Sequence, residues 1–565
     1  MKELLSKVIA KYLEQYDWLQ IKECIEVPSN EDLGDFSLPC FIFAKGMKKS
    51  PMTIAEELKE ALTLEKEEIG IEKLEVVKGY LNIFMNKSFY IKMILNEANK
   101  EQFGTSTEGV GKTICMDYSS PNIAKNFHVG HLRTTIIGNS LYKIYDKLGY
   151  KVVRINHLGD WGTQFGKLIV AYLKWSNKEA VEANGIDELL RIYVKFNEEA
   201  KANPHLQDEA RSWFLKMEQG DREALSIWEW FKQISLVEFE QIYQMLGVEF
   251  DYNLGESFYM DKVPSLVKEL KEKNLLKESQ GANIIPLEPF NMAPCLITKK
   301  DGSSIYHSRD LAAILYRKQV FHFEKCVYVT GLEQSLHFAQ IFKVIELMGY
   351  DWASALVHVP YGLVRLGGAK LSTRNGTIIY AQDILKEAVN RSKEIIEQKN
   401  PALQNKEEIA KMVGIGAIIF HDLYNQRIKS VDFTWEDVLN FDGATGPYVQ
   451  YTYVRAKSIL RKVGEEAIIE GVDSSLLTED ISYSLVKVIA QYPEVIKEAA
   501  TRYEPSVIAR YTIVLASSFN RFYHDCKIVH EKEEIKHARL IVVHLTQKIL
   551  KDALMLLGIS CPEEM

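Results

Sequence analysis

The chain has 565 residues, more than one hydrophobic core usually organises, so we expect three or four domains. Its composition, with 47% hydrophobic and 26% charged residues, excludes a disordered or low-complexity protein. The formal net charge of −8 argues against a nucleic-acid partner only weakly, because such binding depends on a local basic surface.

Targeting and cysteine patterns predict a cytoplasmic protein. No apolar run is long enough to span a bilayer, so we expect no membrane association. The N-terminal segment mixes apolar residues with lysines and glutamates, unlike a signal or transit peptide. The seven cysteines are scattered and form no CxxC pair, which favours reduced thiols over disulfides or a zinc site.

The first 105 residues have the pattern of a small α+β domain. Amphipathic spacing predicts one helix over about 2–19 and a second helix in "TIAEELKEAL". The stretch "LEVVKGYLNIFMN" alternates as a strand does, and "SFYIKMILNEANK" predicts a closing helix. The stretch "FGTSTEGVGK" is then typical of a linker.

A βαβ unit follows this linker. The segment "KTICMDYSS" predicts a buried strand, a helix begins near Gly130 and ends at Gly149, and "KVVRINHLG" predicts the next strand. Such a unit implies a parallel sheet. Two later strands, "KCVYVTGLE" and "LVHVPYGLVRL", extend the sheet, and a helical insertion at about 175–280 separates its halves. Beyond about residue 381 the pattern predicts only helices.

The segment "PNIAKNFHVGHLRTTIIGN" places cationic and hydrogen-bonding groups at the start of the first helix of this unit. A helix N-terminus at the carboxyl edge of a parallel sheet favours phosphate. We expect His128 and His131 to donate hydrogen bonds to phosphate oxygens, and Gly130 to allow close approach. Lys125 would add a full charge. The alternatives are two ordinary histidines or a metal site, which lacks a third ligand nearby.

A second basic loop, "GGAKLSTRNG" at 367–376, follows a late strand. It combines two glycines with Lys370 and Ser372, side chains that can bind phosphate. Taken alone, the loop is better explained as a solvated turn. Together with the histidine pair, it supports a phosphate site.

These two motifs resemble the HIGH and KMSKS signatures of class I aminoacyl-tRNA synthetases. The chain is closer still to the arginyl-tRNA synthetases, in "SSPNIAKNFHVGHLRTTIIGN", "NHLGDWGTQFG", "IYHSRDLAA", "NFDGATGPYVQYTYVRA" and "DALMLLGI". Thr373 stands where KMSKS has its second lysine, and the resemblance implies that Lys125 supplies that charge.

The resemblance implies a multidomain α/β protein in four parts. These are an N-terminal add-on domain that contacts the tRNA elbow (1–105), a Rossmann-like class I catalytic domain with the helical insertion (106–380), a helical stem-contact region (381–445), and an all-α, DALR-type anticodon-binding bundle (446–565). In that bundle Tyr448 and Tyr451 are candidates for base contact, although aromatic residues at helical spacing are usually core.

The implied activity is ATP-dependent ligation of L-arginine to tRNA-Arg through an arginyl-adenylate, by a monomer, with Mg²⁺ on the leaving pyrophosphate. The catalytic residues would be Lys125, His128, His131 and Lys370, and the ATP-binding residues would be His128, Gly130, His131, Lys370 and Ser372. The resemblance also implies that arginine activation waits for bound tRNA. A small-molecule nucleotidyltransferase and a synthetase-like protein without catalysis are the alternatives. The helical C-terminal half argues against the first, and the complete residue set argues against the second.

Arginine recognition requires carboxylates that face a guanidinium, because this group never loses its charge. Asp117, at the end of the first strand of the sheet, and Asp310, in "YHSRD", are the candidates, and Tyr306 would add a hydrogen bond. The alternatives are an ion pair from Asp310 to Arg309 or Arg317 and a helix cap by Asp117. By resemblance, the α-amino and carboxylate end of arginine would meet Asn122 and Gln334, with Ser120 and His131 close by.

Overall fold

The computed structural model describes residues 1–28, 30–300, 302–366, 369–370, 380–464 and 472–565. Its packing divides the chain into two compact units. The first comprises Met1–Phe103, Arg455–Tyr492 and Val514–Ile549, and the second comprises Gly104–Val454, Pro493–Ile513 and Leu550–Met565. Both units therefore include parts of the C-terminal helices.

Helices dominate the regular structure. They are α1 (Lys2–Ala10), α2 (Trp18–Cys24), α3 (Ala44–Met47), α4 (Pro51–Glu65), α5 (Lys87–Asn99), α6 (Val129–Lys147), α7 (Thr163–Trp175), α8 (Lys178–Ala202), α9 (His205–Glu218), α10 (Arg222–Leu246), α11 (Val263–Glu272), α12 (Tyr306–Phe321), α13 (Ser335–Leu347), α14 (Ala381–Lys399), α15 (Lys406–Tyr424), α16 (Trp435–Val438), α17 (Gly446–Val463), α18 (Asp480–Ala490), α19 (Tyr492–Arg502), α20 (Ser506–Asp525) and α21 (Glu533–Leu556). None of these described helices has both the length and the apolar composition needed to cross a membrane.

Four small sheets contain the described strands. The strands are β1 (Phe36–Pro39), β2 (Ile71–Val77), β3 (Tyr80–Met85), β4 (Thr113–Asp117), β5 (Lys151–Asn156), β6 (Tyr252–Asn253), β7 (Lys277–Ser279), β8 (Ala282–Ile285), β9 (Cys295–Thr298), β10 (Lys325–Gly331), β11 (Leu356–Tyr361), β12 (Val364–Leu366), β13 (Ala369–Lys370) and β14 (Val431–Phe433). The strand orders are β1-β3-β2, β11-β10-β4-β5-β6, β13-β12-β14 and β7-β8-β9.

The N-terminal part of the first unit confirms the predicted mixture of helices and strands, with two corrections. The stretch predicted as one strand is a hairpin of β2 and β3, because Lys78 and Gly79 have φ angles of 50° and 82°. Positive φ at both positions is typical of a tight type I′ turn. The helix predicted over about 2–19 is two helices, because Asp17 accepts from the Leu19 N–H at 2.8 Å and begins α2.

The five-stranded sheet of the second unit is parallel throughout and confirms the predicted α/β core. Its central strand is β4, in which Ile114, Cys115 and Met116 are fully buried. Burial on both faces is what a central parallel strand requires. β4 pairs with β10 so that Asp117 lies opposite Tyr328, and the carboxyl ends of these strands meet at one edge of the sheet.

A strand beyond residue 381 contradicts the prediction that this region is helical throughout. β14 pairs in parallel with β12, with Val431 opposite Val364. Three residues are too few to show strand periodicity in the sequence, so the pairing depends on the partner strand. The predicted strand "LVHVPYGLVRL" also divides into β11 and β12, because the Gly362 N–H turns away and donates to the Arg427 carbonyl at 2.8 Å.

The predicted insertion at about 175–280 is mostly helical, but it also contains short strands that were not predicted. Helices α8, α9 and α10 occupy it as far as Leu246, and α11 follows at Val263–Glu272. Before α11 the chain adds β6 to the edge of the parallel sheet, and after α11 it forms the antiparallel sheet β7-β8-β9. These strands have two to four residues each, too few for a period-2 pattern to be visible.

Candidate active site

A cavity of about 790 Å³ opens at the carboxyl ends of β4 and β10, within the second unit. Nine of the residues predicted from the sequence line it: Asp117, Ser120, Asn122, His128, Gly130, His131, Tyr306, Asp310 and Gln334. Their positions in the sequence span more than two hundred residues, from Asp117 to Gln334, and the crossovers of the parallel sheet bring them together.

The other predicted residues lie elsewhere or outside the description. Lys125 is exposed in the loop before α6 and is not among the residues that line the cavity. Lys370 ends β13, but its side chain and all of Ser372 lie outside the described residues. Tyr448 and Tyr451 belong to α17, where Tyr451 is exposed and Tyr448 is half-buried.

The loop between β4 and α6 is fixed against the segment that follows β5. The Ile123 N–H donates to the Gly159 carbonyl, and the Gly159 N–H donates to the Pro121 carbonyl at 3.1 Å. A side-chain carbon on Gly159 would lie 2.1 Å from the Asn122 amide oxygen, so a larger residue there would displace the Asn122 side chain. This contact explains the glycine of "NHLGDWG" and places Asn122 at the cavity.

Two stacked histidines form the start of α6. The His128 ring lies over the His131 ring, with centroids 3.8 Å apart and planes 21° from parallel. Nδ1 of His128 accepts from the Gly130 N–H at 3.1 Å, and Nδ1 of His131 accepts from the His128 N–H at 3.4 Å. Because both Nδ1 atoms accept, each neutral ring carries its proton on Nε2.

The electrostatics at the start of α6 also favour neutral histidines. Burial, with the nearby His128 and Lys125, holds the pKa of His131 well below its ordinary value. The Gly130 and His131 N–H groups are already bonded to His128, so the donors available to a ligand are the Nε2–H groups of the two rings. This end of the cavity therefore offers hydrogen-bond donors and suits an anion.

Four carboxylates line the same cavity, those of Asp117, Glu256, Asp310 and Glu333, and we call the first three the acidic floor. Arg317 Nη1 lies 2.8 Å from Asp117 Oδ2, and Ser120 Oγ donates to Asp117 Oδ1 at 2.8 Å. Arg309 Nη2 lies 2.8 Å from Glu256 Oε2. The two arginines considered as partners of Asp310 are thus paired with the other two carboxylates of the floor.

Asp310 instead faces two imidazoles, of which His337 is hydrogen-bonded to it. His337 Nε2 lies 2.6 Å from its Oδ2, and His157 Nε2 lies 3.4 Å from its Oδ1. Burial alone would raise the pKa of Asp310, but the contacts with His157 and His337 outweigh it and hold this pKa well below its usual range. Asp310 is therefore ionised, and this side of the cavity suits a cation.

Three further polar side chains line the cavity. Tyr306 begins α12, is 51% exposed and stacks on His307 with ring centroids 4.1 Å apart. Gln334 lies just after β10 and is exposed, as is Asn122. These groups are accessible to a ligand that spans the cavity from the acidic floor to the start of α6.

The sequence analysis did not identify His157, Glu256 or His337, and it considered Arg317 only as a partner of Asp310. His157 and His337 follow the ends of β5 and β10, and polar residues at strand carboxyl ends are a signal that could have found them. Arg317 lies two helical turns after Asp310 in α12, on the same face, and its partner is two hundred residues away. No local pattern indicates that pairing.

Three known families match successive parts of the chain. Residues 1–85 match the arginyl tRNA synthetase N terminal domain. Residues 91–435 match the family described as tRNA synthetases class I (R), catalytic domain. Residues 449–565 match the DALR anticodon binding domain.

Full-length relatives and solved structures give the same result. The chain is 51% identical over 566 residues to an arginine–tRNA ligase of Alkaliphilus metalliredigens, covering 100% of this chain and 99% of that one. It is 50% identical over 568 residues to one of Clostridioides difficile, with the same coverage. The structure resembles the arginyl-tRNA synthetase of Thermus thermophilus with a TM-score of 0.84 at 25% identity, covering 100% of both chains. It resembles that of Plasmodium falciparum with a TM-score of 0.81 at 25% identity, covering 100% of this chain and 98% of the other.

Proposed function

The chain belongs to the arginyl-tRNA synthetases, class I enzymes that join arginine to tRNA, and from that premise we propose how its cavity performs the reaction. The observation that carries the proposal is that one cavity is lined both by neutral donors at the start of α6 and by the ionised Asp310. A molecule with an anionic reacting end and a cationic side chain fits such a cavity.

The first step forms arginyl-adenylate at the anionic end. An oxygen of the arginine carboxylate attacks the α-phosphorus of ATP, a new O–P bond forms, and the bond to diphosphate breaks. The carboxylate is already ionised, so no general base is needed, and the rate depends on position and charge stabilisation. Nε2–H groups of His128 and His131 would donate to the phosphate oxygens, with Gly130 allowing close approach.

Cations would complete the phosphate site. Lys125 precedes α6 by four residues and can swing its long side chain toward the pyrophosphate. Lys370, which ends β13, and Ser372 would add a charge and a hydroxyl to this site, as proposed from the sequence. Mg²⁺ would enter as the counter-ion of the ATP phosphates, as part of the nucleotide substrate.

At the other end, Asp310 would bind the guanidinium of the substrate, with the Tyr306 hydroxyl as a further partner. Asp117 would contribute to the same acidic floor while it stays paired with Arg317. Asn122 and Gln334 would hold the α-amino and carboxylate end, with Ser120 beside them. With arginine bound in this way, its carboxylate would face the His128–His131 pair.

The remaining parts of the chain would bind tRNA-Arg. We propose residues 1–105 for the elbow, 381–445 for the stem and 446–565 for the anticodon, with Tyr448 and Tyr451 as candidate base contacts. The second step then passes the arginyl group to a ribose hydroxyl at the 3′ end of the tRNA and releases AMP. We expect a monomeric, cytoplasmic enzyme.

An aminoacylation assay tests the proposed specificity. Purified enzyme, tRNA-Arg transcript and MgATP are incubated with each of the twenty amino acids in turn. Charging with arginine alone supports the proposal. Citrulline, the neutral analogue of arginine, is tested in the same way. Equal charging with lysine or with citrulline would contradict the role of the acidic floor.

A further inference from the structure

The charges of the acidic floor are not equivalent. Asp117 and Glu256 each lie 2.8 Å from a protein guanidinium. Asp310, the third carboxylate of the floor, has only the imidazoles of His157 and His337 as its recorded partners among the described residues. Two arginines thus balance two carboxylates, and the charge of Asp310 is left for a ligand.

Arg317 determines which nitrogen of His157 carries the proton. Its Nη2 lies 3.3 Å from His157 Nδ1. A guanidinium has only donors, so Nδ1 accepts and the proton of the neutral ring is on Nε2. This Nε2 lies 3.4 Å from Asp310 Oδ1. A protonated ring would instead turn an Nδ1–H against the guanidinium.

His337 holds the other oxygen of the same carboxylate. Its Nε2 lies 2.6 Å from Asp310 Oδ2, at hydrogen-bond distance. His337 lies in the first turn of α13, whereas His157 follows β5. The side chains of His337 and His157 are only 13% and 14% exposed, and that of Asp310 is 23% exposed. His337 therefore hydrogen-bonds one oxygen of a partly open carboxylate, and His157 lies against the other at 3.4 Å.

We propose that His157 and His337 are positioning residues for arginine specificity, which act by orienting Asp310 with imidazoles in place of a permanent cation, so that its negative charge stays available to the substrate. This inference rests on the proposed role of Asp310 as the guanidinium ligand. Lysine or arginine at either position would also orient the carboxylate, but would neutralise it in advance. A cationic substrate would then lose its electrostatic advantage over a neutral analogue.

Three substitutions of His337 separate orientation from charge. His337→Gln keeps an N–H donor without a charge, His337→Leu removes the donor, and His337→Lys adds a permanent cation. The full-length enzyme is assayed with tRNA-Arg for the KM of arginine and of ATP, and for competitive inhibition by citrulline. His358→Leu is the control, because His358 is a half-buried imidazole that contacts Thr330 at 2.9 Å.

We expect His337→Leu to raise the KM for arginine roughly 10-fold or more and to leave that for ATP within about 2-fold, because one donor to a charged group is lost. The Gln variant should recover most of this loss. The Lys variant should raise the arginine KM further and bring citrulline inhibition closer to arginine binding. His358→Leu should change neither KM by more than about 2-fold.

The same comparison at the second histidine protects the test against a folding defect. His157→Gln keeps both an acceptor for Arg317 and a donor for Asp310, and His157→Leu keeps neither. Thermal unfolding identifies any variant that fails to fold. Equal losses in the Gln and Leu variants, or parallel changes in the KM of arginine and ATP, would overturn the inference. Failure of the unmutated enzyme to charge arginine would instead overturn the proposed function.

Discussion

Arg317 and Asp117 form a buried ion pair, with Nη1 2.8 Å from Oδ2 and with 1% and 6% of the two side chains exposed. The pair joins α12 to the end of β4, and the same guanidinium reaches His157. Burial alone would lower the pKa of Arg317, but the nearby Tyr259 and Asp117 outweigh it and raise this pKa above its ordinary value. The pair is thus part of the frame that holds Asp310, in addition to being part of the cavity wall.

Removal of one member of this pair should be more harmful than removal of both. Arg317→Met leaves Asp117 buried without its cation, which typically costs about 3–5 kcal/mol in the free energy of unfolding. The double variant Arg317→Met/Asp117→Asn should recover part of that loss, because no lone charge remains. Urea unfolding followed by circular dichroism measures both. Equal destabilisation of the single and double variants would show that packing, rather than charge, dominates.

His131→Ala should slow adenylate formation strongly and leave arginine affinity nearly unchanged. The loss of one preorganised donor to a developing charge costs about 3–4 kcal/mol of transition-state stabilisation. Rapid-quench measurement of adenylate in the presence of tRNA-Arg gives the rate, and equilibrium dialysis gives arginine binding. His205→Ala, a histidine exposed on α9, is the control. A near-normal rate for His131→Ala would remove His131 from the phosphate site.

Asp310→Asn should raise the KM for arginine and leave that for ATP little changed. The substitution keeps the shape and removes the charge, and a hydrogen bond to a charged group is worth about 1.5–3 kcal/mol, or roughly 10- to 100-fold in KM. Aminoacylation kinetics measure both constants, with Asp146→Asn on the exposed side of α6 as the control. If citrulline competes as well as arginine in the unmutated enzyme, the guanidinium is not bound by charge.

Much of the site could be predicted because its chemistry is local in the sequence. The histidine pair, Gly130 and the strand before them lie within about twenty residues, so a strand–helix turn and its anion-binding character follow from one segment. Asp310 was found because the resemblance to the arginyl-tRNA synthetases implied a guanidinium substrate, and a guanidinium needs a carboxylate. The first expectation depends on short-range geometry, and the second depends on the resemblance together with ligand chemistry.

The partners of the carboxylates could not be predicted, because they depend on tertiary contacts. Whether Arg317 pairs with Asp310 or with Asp117 depends on how α12 packs against the end of β4. The spacing of residues along the sequence does not show that packing. The same holds for β14, whose three residues become a strand through pairing with β12. The hairpin at Lys78 was missed for a different reason, because lysine rarely adopts the positive φ that the turn requires.

Arginine binding should weaken as the pH falls. Burial lowers the pKa of His157, but Asp310 and Asp117 outweigh it, and the net pKa is raised above its ordinary value. Below that pKa His157 gains a proton, which offsets the charge of Asp310, so the KM for arginine should rise with acidification. The pKa of His131 is lowered, so the KM for ATP should stay flat over the same range. In His157→Gln the rise in arginine KM should be reduced; an unchanged profile would exclude His157 as its origin.

Arg427 connects the end of the catalytic sheet to the C-terminal helices within the second unit. Its Nη1 donates to the Pro360 carbonyl at 2.5 Å, in β11, and its Nε donates to the Tyr503 carbonyl at 2.9 Å, between α19 and α20. Arg133, one turn into α6, donates to the Arg427 carbonyl at 3.0 Å. Arg427 thus contacts three parts of the second unit: β11, which precedes "KLSTRNG" in the chain, the first turns of α6, and the helical region.

We propose that tRNA binding acts through this connection on the basic loop at 367–376. Bound tRNA would favour the conformation of that loop that binds phosphate over the one that does not. Couplings of this kind are typically about 1–3 kcal/mol, or roughly 5- to 150-fold. We therefore expect little arginine-dependent ATP–pyrophosphate exchange until tRNA-Arg is added, and a reduced stimulation in Arg427→Ala with tRNA affinity nearly unchanged. Arg391→Ala, at an exposed position of α14, is the control and should keep the full stimulation. Robust exchange by the unmutated enzyme in a preparation verified free of RNA would show that the loop closes on ATP alone and that tRNA is only a substrate.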